Sequence, residues 1–376
     1  MEPRMTTLSI ERFRALRKLE IDGLGRVNLI TGRNNTGKSS VLEAIRILTS
    51  GAAPAVINNI LRYREEDGGD NDESTRPLDS EGVFPLSTLF NGFPQFSAKL
   101  DPIVIAAKGT SLPLHLVMEA GWFSEERDKD GTRRLIPQQK ELFSEGEAIP
   151  ALVMEVDGVR RVLPLDYMRR YSSRGRMMMR PEATDEPSLP CVFVSPYGGE
   201  RTATLGVLWD KIALTDRENF VVDALRIIDP DITAVSMVGG EGPRQQRTAI
   251  VRSRNFTRPV SLRSFGDGLN RLFGIILSLV NAKDGILLID ELENGIHYSV
   301  QADAWKAIFA LSRSLNIQVF ATTHSWDAIT AFQEAAADTP DTGVLVRLTR
   351  RGDEIIPTVF SEEELAIATR DRIEVR

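Results

Sequence analysis

Two stretches of this 376-residue chain carry residue types at spacings that can do chemistry. Gly32-Arg-Asn34-Asn35-Thr36-Gly37-Lys38-Ser39, followed by Ser40, fits the pattern G-x-x-x-x-G-K-[ST] in full. Its glycines let successive backbone N–H groups close around phosphate oxygens, Lys38 reaches the β/γ-phosphates, and the Ser39 hydroxyl is a hard ligand for Mg²⁺. The second stretch is Ile286-Leu-Leu-Ile289-Asp290-Glu291. An apolar strand there delivers Asp290 to its end, where it can hold Mg²⁺, usually through water. Glu291, one residue on, is placed to polarise an attacking water. An apolar run closed by Asp-Glu is an ordinary strand end by itself; beside the glycine loop it reads as chemistry.

Three further pieces narrow the reading. Ser264-Phe-Gly266-Asp267-Gly268 precedes an apolar helix. A serine and two glycines at a helix N-terminus form a second anion-binding surface, or else Ser264 or Asp267 simply caps the helix. One chain has no need of two such surfaces for one γ-phosphate, whereas two chains facing each other do. Ala321-Thr-Thr-His324-Ser325 follows the last buried strand, which places His324 to hydrogen-bond the γ-phosphate and report its loss. Glu293-Asn-Gly-Ile-His297 follows the Asp-Glu pair; it lies where two copies meet, or His297 caps the next helix. Separately, Arg160, Arg161, Arg169, Arg170, Arg174, Arg176 and Arg180 crowd one stretch with Tyr167 and Tyr171 between them. Arginines pair with phosphates and tyrosines stack on bases, so the stretch is a nucleic-acid candidate, centred on Arg169, Arg170, Arg174 and Arg176. A solvated loop and a surface that docks an acidic protein are the alternatives.

The elements that must position these residues follow from periodicity. Residues 6–22 alternate as an edge hairpin with Phe13 and Arg14 at its bend, and Val27–Thr31 is a buried strand leading into the glycine loop. The helix after the loop carries Val41, Leu42, Ile45 and Leu48 on one side. Residues 64–82 are acidic, glycine-rich and poor in apolar residues, the composition of a mobile surface loop. Short strands at Ile103–Ala106, Leu114–Glu119 and Val153–Val156 suggest an inserted antiparallel subdomain. Residues 205–230 read as helical. Beyond them, strands at Ile232–Val238, Ala249–Arg252, Ile286–Ile289 and Ile317–Ala321 alternate with helices at 267–281 and 298–314. That rhythm argues for a largely parallel sheet covered by helices.

Composition excludes several classes. No apolar run approaches the roughly 20 residues that span a bilayer. The N-terminus lacks the apolar core of a signal peptide. A single cysteine, Cys191, fits a reducing cytoplasm, and with three histidines it leaves too little for a dedicated zinc site. The net charge of −7 does not draw the whole chain to nucleic acid, although a local basic surface still can.

The glycine loop, Ser264-Phe-Gly-Asp-Gly, Asp290-Glu291 and His324, in that order, resemble the ABC ATPases. Ile10-Glu-Arg-Phe13-Arg14 followed by Gly25-Arg-Val-Asn-Leu-Ile-Thr-Gly32 looks like the RecF/SMC/OLD branch, which works on DNA rather than in transport. The resemblance covers residues 1–50 and about 230–330. It implies an α/β P-loop NTPase fold: an ABC ATPase head with a mixed, largely parallel sheet, an antiparallel β-subdomain and a helical insert. It also implies ATP and Mg²⁺ as cofactors and an ATP-dependent homodimer in which Ser264 and Gly266 of one chain complete the site holding Lys38 of the other. A glutamine from the loop between the lobes usually contacts Mg²⁺ in that family, and Gln95 is the candidate here. The chain lacks the long heptad arrays of SMC proteins, and the stretch after His324 is too short for a TOPRIM nuclease, so it looks like a stand-alone ATPase of the OLD-like, AAA-family group. Such ATPases are often paired with a separate nuclease or effector, in DNA repair or anti-phage defence. A RecF-like DNA-binding protein with ATP-timed release is the alternative. A transporter subunit is disfavoured by the Ser-Phe-Gly-Asp-Gly signature and the Phe13-Arg14 segment. The chain is expected to divide into 1–60 and 201–335 for the ATPase lobes, 61–96 for an acidic insert and inter-lobe loop, 97–200 for the antiparallel, basic subdomain, and 336–376 for a C-terminal tail. The acidic residues of that tail read as a solvated end.

Overall fold

The computed structural model describes residues 2–64, 86–94, 100–110, 114–127, 133–138, 148–164, 189–196, 202–239, 247–337 and 342–375. The hairpin β1 (Thr7–Phe13) and β2 (Leu16–Asp22) pairs Ile10 with Leu19 and Leu8 with Ile21. The alternation that predicts it buries Leu8 and Ile10, and Arg12, at φ 57°, interrupts it before buried Phe13. The strand β3 (Val27–Thr31) is different: all five residues are buried, the mark of a strand covered on both faces. It feeds α1 (Lys38–Thr49), which is followed by α2 (Pro54–Tyr63).

The antiparallel strands β4 (Ile103–Lys108), β5 (Leu114–Arg127), β6 (Arg133–Gln138), β7 (Ala148–Val156) and β8 (Val159–Pro164) do not form a separate insert. They extend the N-terminal hairpin into one seven-stranded sheet, ordered β2-β1-β4-β5-β7-β8 with β6 beside β5. The next strand, β9 (Cys191–Val194), leaves that sheet and joins the central one.

After α3 (Thr202–Asp210) and α4 (Arg217–Ile228), the strands β10 (Ile232–Val238) and β11 (Thr248–Ser253) depart from expectation. They do not enter the parallel sheet. With β12 (Val260–Ser261) they form a three-stranded antiparallel sheet of their own. The physical reason is visible in their burial, which alternates along β11 and, past an irregularity at Ile232–Ala234, along β10, and so leaves one face less buried, unlike the continuous burial of β3.

The central sheet runs β16-β15-β3-β14-β13-β9. Here β13 is Ile286–Ile289, β14 is Gln318–Thr322, β15 is Gly343–Arg351 and β16 is Glu354–Phe360. The five from β15 to β9 are mutually parallel and β16 is antiparallel at the edge. The helices α5 (Asp267–Asn281), α6 (Tyr298–Ser314), α7 (Trp326–Ala337) and α8 (Glu362–Arg370) complete the described elements. Successive strand residues point into two different cores. Leu29, Leu287, Ile289, Val319 and Ala321 join the helical core with α3 to α8. Ile30, Ile286, Leu288 and Phe320 join a second core with α1, α2 and the antiparallel sheet. Buried Gln318 fastens the layers, donating from Nε2 to Met5 O (2.7 Å) and Gly25 O (2.8 Å) while its Oε1 accepts from the Met5 N–H (2.9 Å).

The stretch 343–375, expected as a tail, is structural. The strand β15 pairs along β3, and Thr31 Oγ1 donates to Val375 O (2.7 Å). Its acids are not simply solvated: Ser361 and Glu364 form a reciprocal capping box on α8, and Glu362 Oε1 accepts from the Thr342 N–H (2.9 Å) and the Gly343 N–H (2.7 Å). A chain ending at Ala337 would bare the edge of β3. It is expected to accumulate in inclusion bodies or to lose its cooperative thermal transition, as read by soluble yield and circular dichroism.

Candidate nucleotide site

The glycine loop is shaped by backbone angles that most residues resist. Gly32 has φ 146°, Asn35 φ 64° and Gly37 φ 85°. A Cβ at Gly32 would lie 2.6 Å from Leu348 O and 2.7 Å from Thr36 Oγ1, so β15 closes over the loop too tightly for any side chain. Thr36 Oγ1 donates to Arg33 O (2.8 Å), while Arg33, Asn34 and Asn35 are exposed at the tip. No side chain caps α1, which leaves its first N–H groups and the positive end of its dipole to the loop.

Lys38 lies inside this loop, 8% exposed, donating from Nζ to Gly32 O (2.7 Å) and Arg33 O (3.0 Å). Burial lowers its pKa, and the nearby charges of Asp290, Glu291 and Glu293 oppose that shift. Ser40 is buried behind it.

Three chain segments converge on Asp290, which is 4% exposed. Its Oδ1 accepts from Ser39 Oγ (3.1 Å) at the start of α1 and from Thr322 Oγ1 (2.6 Å) at the end of β14. Thr322 in turn accepts from the Glu291 N–H (2.8 Å). Burial raises the Asp290 pKa, partly offset by the two hydroxyl hydrogen bonds. Glu291 takes a left-handed backbone, φ 48°, and its carboxylate accepts from Asn294 Nδ2 at 2.5 Å. His324 Nδ1 lies 3.7 Å from Glu291 Oε1 and 3.3 Å from Glu293 Oε1. The sequence-predicted Lys38, Ser39, Asp290, Glu291 and His324 thus share one site. Thr322 had no role in the sequence reading, although a threonine closing an apolar strand was its available signal; Glu293 and Asn294, expected where two copies meet, lie against His324 and Glu291 within one chain.

Among the described residues no cluster of three His, Cys, Asp or Glu side chains stands ready for a metal ion. One hydroxyl and one carboxylate oxygen held together suit a hard cation that keeps several waters and takes phosphate oxygens, which is how Mg²⁺ binds. Gln95, the third candidate ligand, lies outside the described residues, as do Arg169, Arg170, Arg174 and Arg176.

The second anion surface is open. Gly266 has φ 107° between a 3-10 turn (Leu262–Phe265) and α5, and neither Ser264 nor Asp267 caps the helix. Ser264, Gly266 and Asp267 are exposed. A Cβ at Gly268 would sit 3.3 Å from Gly295 O, so the loop after Glu291 packs against this helix start. His297 does cap α6, its ring accepting from the Ser299 N–H.

A buried ion pair braces the loop helix from behind. Glu43, one turn beyond Ser39, sits 2.6 Å from Arg14 Nε and 2.6 Å from Arg64 Nε, with the Arg14 and Glu43 side chains 3% and 6% exposed. The bend of the N-terminal hairpin is thereby locked to α1.

With this geometry in view, the comparisons decide the family. The family profile described as "AAA domain, putative AbiEii toxin, Type IV TA system" matches residues 118–331, more than half of the chain, and a second AAA-domain profile matches residues 7–76. The chain belongs to this AAA-domain ATPase family. A Helicobacter pylori protein named ATP/GTP phosphatase is 24% identical to this AAA-domain ATPase over 338 residues, 86% of each chain. The DNA replication and repair protein RecF of Acinetobacter baumannii is 37% identical over 65 residues, 17% of this chain and 18% of RecF. Two solved SMC head structures also align with it. One, bound to the C-winged helix domain of ScpA, has TM-score 0.49 and 11% identity and covers 96% of this chain and 99% of its own. The other, from Thermotoga maritima, has TM-score 0.47 and 13% identity and covers 95% and 99%. Among the described residues no helix is long and apolar enough to cross a membrane.

Two outcomes follow from the buried charges of the ATPase. A carboxyl whose folded pKa is raised contributes stability at low pH that is lost as pH rises through that pKa, so Asp290 weakens the fold once it ionises. Asp290→Asn, melted at pH 7 without Mg²⁺ or nucleotide, is expected to match or exceed the wild-type Tm while losing Mg²⁺-dependent turnover. Glu43→Ala leaves Arg14 buried without its counter-charge and is expected to lower stability by about 3–5 kcal/mol, read from the urea midpoint.

Proposed function

We propose that this ATPase clamps Mg·ATP between two copies of itself, with Lys38, Ser39 and Asp290 from one chain and Ser264 and Gly266 from the other. The dimer so formed acts on DNA or controls a separate effector nuclease, in DNA repair or anti-phage defence. The observation that carries this reading is the pair of anion-binding surfaces within one chain: an enclosed loop around Lys38, and an uncapped, exposed helix start at Ser264–Gly268.

Binding begins with an exchange. Lys38 gives up its two loop carbonyls for the β- and γ-phosphates, whose charge relieves the cost of burying the ammonium. The N–H groups of the loop and the start of α1 bind the remaining phosphate oxygens. Ser39 and Asp290 would hold Mg²⁺, whose charge neutralises that of the phosphates. Glu291, aimed by its left-handed backbone and by Asn294, takes a proton from water as the water oxygen bonds to the γ-phosphorus. The bridging bond to the β-phosphate breaks, releasing ADP and phosphate, and His324 donates a hydrogen bond to the γ-phosphate. The name of the Helicobacter pylori relative supports triphosphate hydrolysis. The short RecF match supports a DNA partner, and the family description, which names a putative toxin of a type IV TA system, supports a defence context.

Glu291→Gln is expected to bind ATP, hydrolyse it at least a hundredfold more slowly, on the order of the loss seen when a catalytic base is removed, and accumulate as a dimer in light scattering. Adding Ser264→Arg should abolish that dimer, and Lys38→Ala should abolish binding. A Glu291→Gln protein that stays monomeric with saturating Mg·ATP would overturn the clamp. Stimulation of wild-type turnover by linear duplex DNA would select DNA as the sensed partner; an indifferent rate would select the effector protein.

A further inference from the structure

We infer that Glu293 is a positioning residue that holds His324 in its working orientation and keeps it off Glu291. This rests on the roles proposed above for His324 and Glu291. Glu293 lies in the turn after β13, and its charged side chain is only 8% exposed. One of its oxygens, Oε1, accepts the His324 backbone N–H at 3.0 Å and lies 3.3 Å from His324 Nδ1. A single carboxylate oxygen therefore fixes both the turn after β14 and the ring that the turn carries. A carboxylate facing Nδ1 is satisfied only by an N–H there, and Nε2 donates to the γ-phosphate when it carries a proton as well.

The other oxygen, Oε2, is buried and accepts no hydrogen bond among the described residues. A half-satisfied buried carboxylate costs free energy that packing alone would remove by an apolar substitution. Its placement makes sense from the competition around His324. The ring has a second carboxylate within reach, Glu291 Oε1 at 3.7 Å. Were the imidazole to settle there, it would occupy the oxygen that must take the proton from water. Glu293 is the nearer of the two and has the backbone bond as well, so the ring stays with it and Glu291 keeps a lone pair available. The negative charge of Glu293 also reaches Lys38, which ties it to the same electrostatic site.

The test is a double-mutant cycle on the full chain, measuring steady-state ATPase kinetics for Glu293→Gln, His324→Ala and the double variant. Gln keeps the size and a carbonyl oxygen for the backbone N–H but removes the charge that holds the ring. Glu293→Gln is expected to lower kcat roughly tenfold or more, as loss of a residue supporting an active-site group does, with KM and Tm nearly unchanged. In the His324→Ala background it should cost nothing further. Equal losses in both backgrounds, or a wild-type kcat for Glu293→Gln beside an impaired His324→Ala, would overturn the inference. A wild-type kcat for His324→Ala would instead remove the role of His324 itself. The proton on Nδ1 gives an independent readout. With three histidines in the chain, ¹⁵N spectra can be assigned by substitution, and a His324 ring with no proton on Nδ1 would also overturn it.

Discussion

The arrangement of this ATPase depends on one buried carboxylate. Asp290 accepts hydroxyl hydrogen bonds from Ser39 and Thr322, and those three residues end or begin segments attached to three adjacent strands of the central sheet. Removing an anion from water is costly, and two neutral hydroxyls repay only part of that cost, which is why its pKa is raised. A group so placed is poorly chosen for stability and well chosen to receive a divalent cation. The same logic holds for Lys38, buried among its own loop carbonyls until something more negative replaces them. These two opposite charges, each poorly compensated, feel one another's field within the proposed nucleotide site.

Everything around this pair serves to hold it still. The parallel strands are clamped between two cores, one built with helices α3 to α8 and the other with α1, α2 and the antiparallel sheet. Because strand residues alternate between the cores, neither side can shift without disturbing the strand ends where the chemistry sits. Glu43 adds a rigid tie by pairing with Arg14 and Arg64, so the start of α1, which carries Lys38 and Ser39, is braced by the hairpin bend. Ser264 and Gly266, by contrast, are exposed, which the proposed clamp between two copies requires.

Some of the fold was legible and some was misread, for identifiable reasons. The helices 267–281 and 298–314 stood out by sustained apolar periodicity, and the strands Val27–Thr31 and Ile286–Ile289 as short apolar runs bounded by turn or acidic residues beside a recognisable motif. Strands β10 and β11 were recognised but put in the wrong sheet, since their place in the chain suggested an alternating α/β pattern while their one-sided burial belongs to an antiparallel pair. The stretch 343–375 reads as an acidic end by composition, whereas its alternating Val344, Val346 and Leu348 belong to a strand, and Glu364 caps a helix while Glu362 receives backbone N–H groups.

By itself the sequence determined the glycine loop, the strand that carries Asp290 and Glu291, and the helix that follows Ser264, since each is a local pattern in which residue type and spacing dictate backbone and chemistry together. Tertiary structure alone decided that Thr322 would bridge Asp290 and Glu291, that Glu293 would face His324, and that Glu43 would meet Arg14. Those contacts join residues that share no local period, and their partners are chosen by strand order in the sheet and by which face of a helix the cores bury. A pattern within one segment cannot specify such a meeting, because it exists only once separate segments are packed against each other.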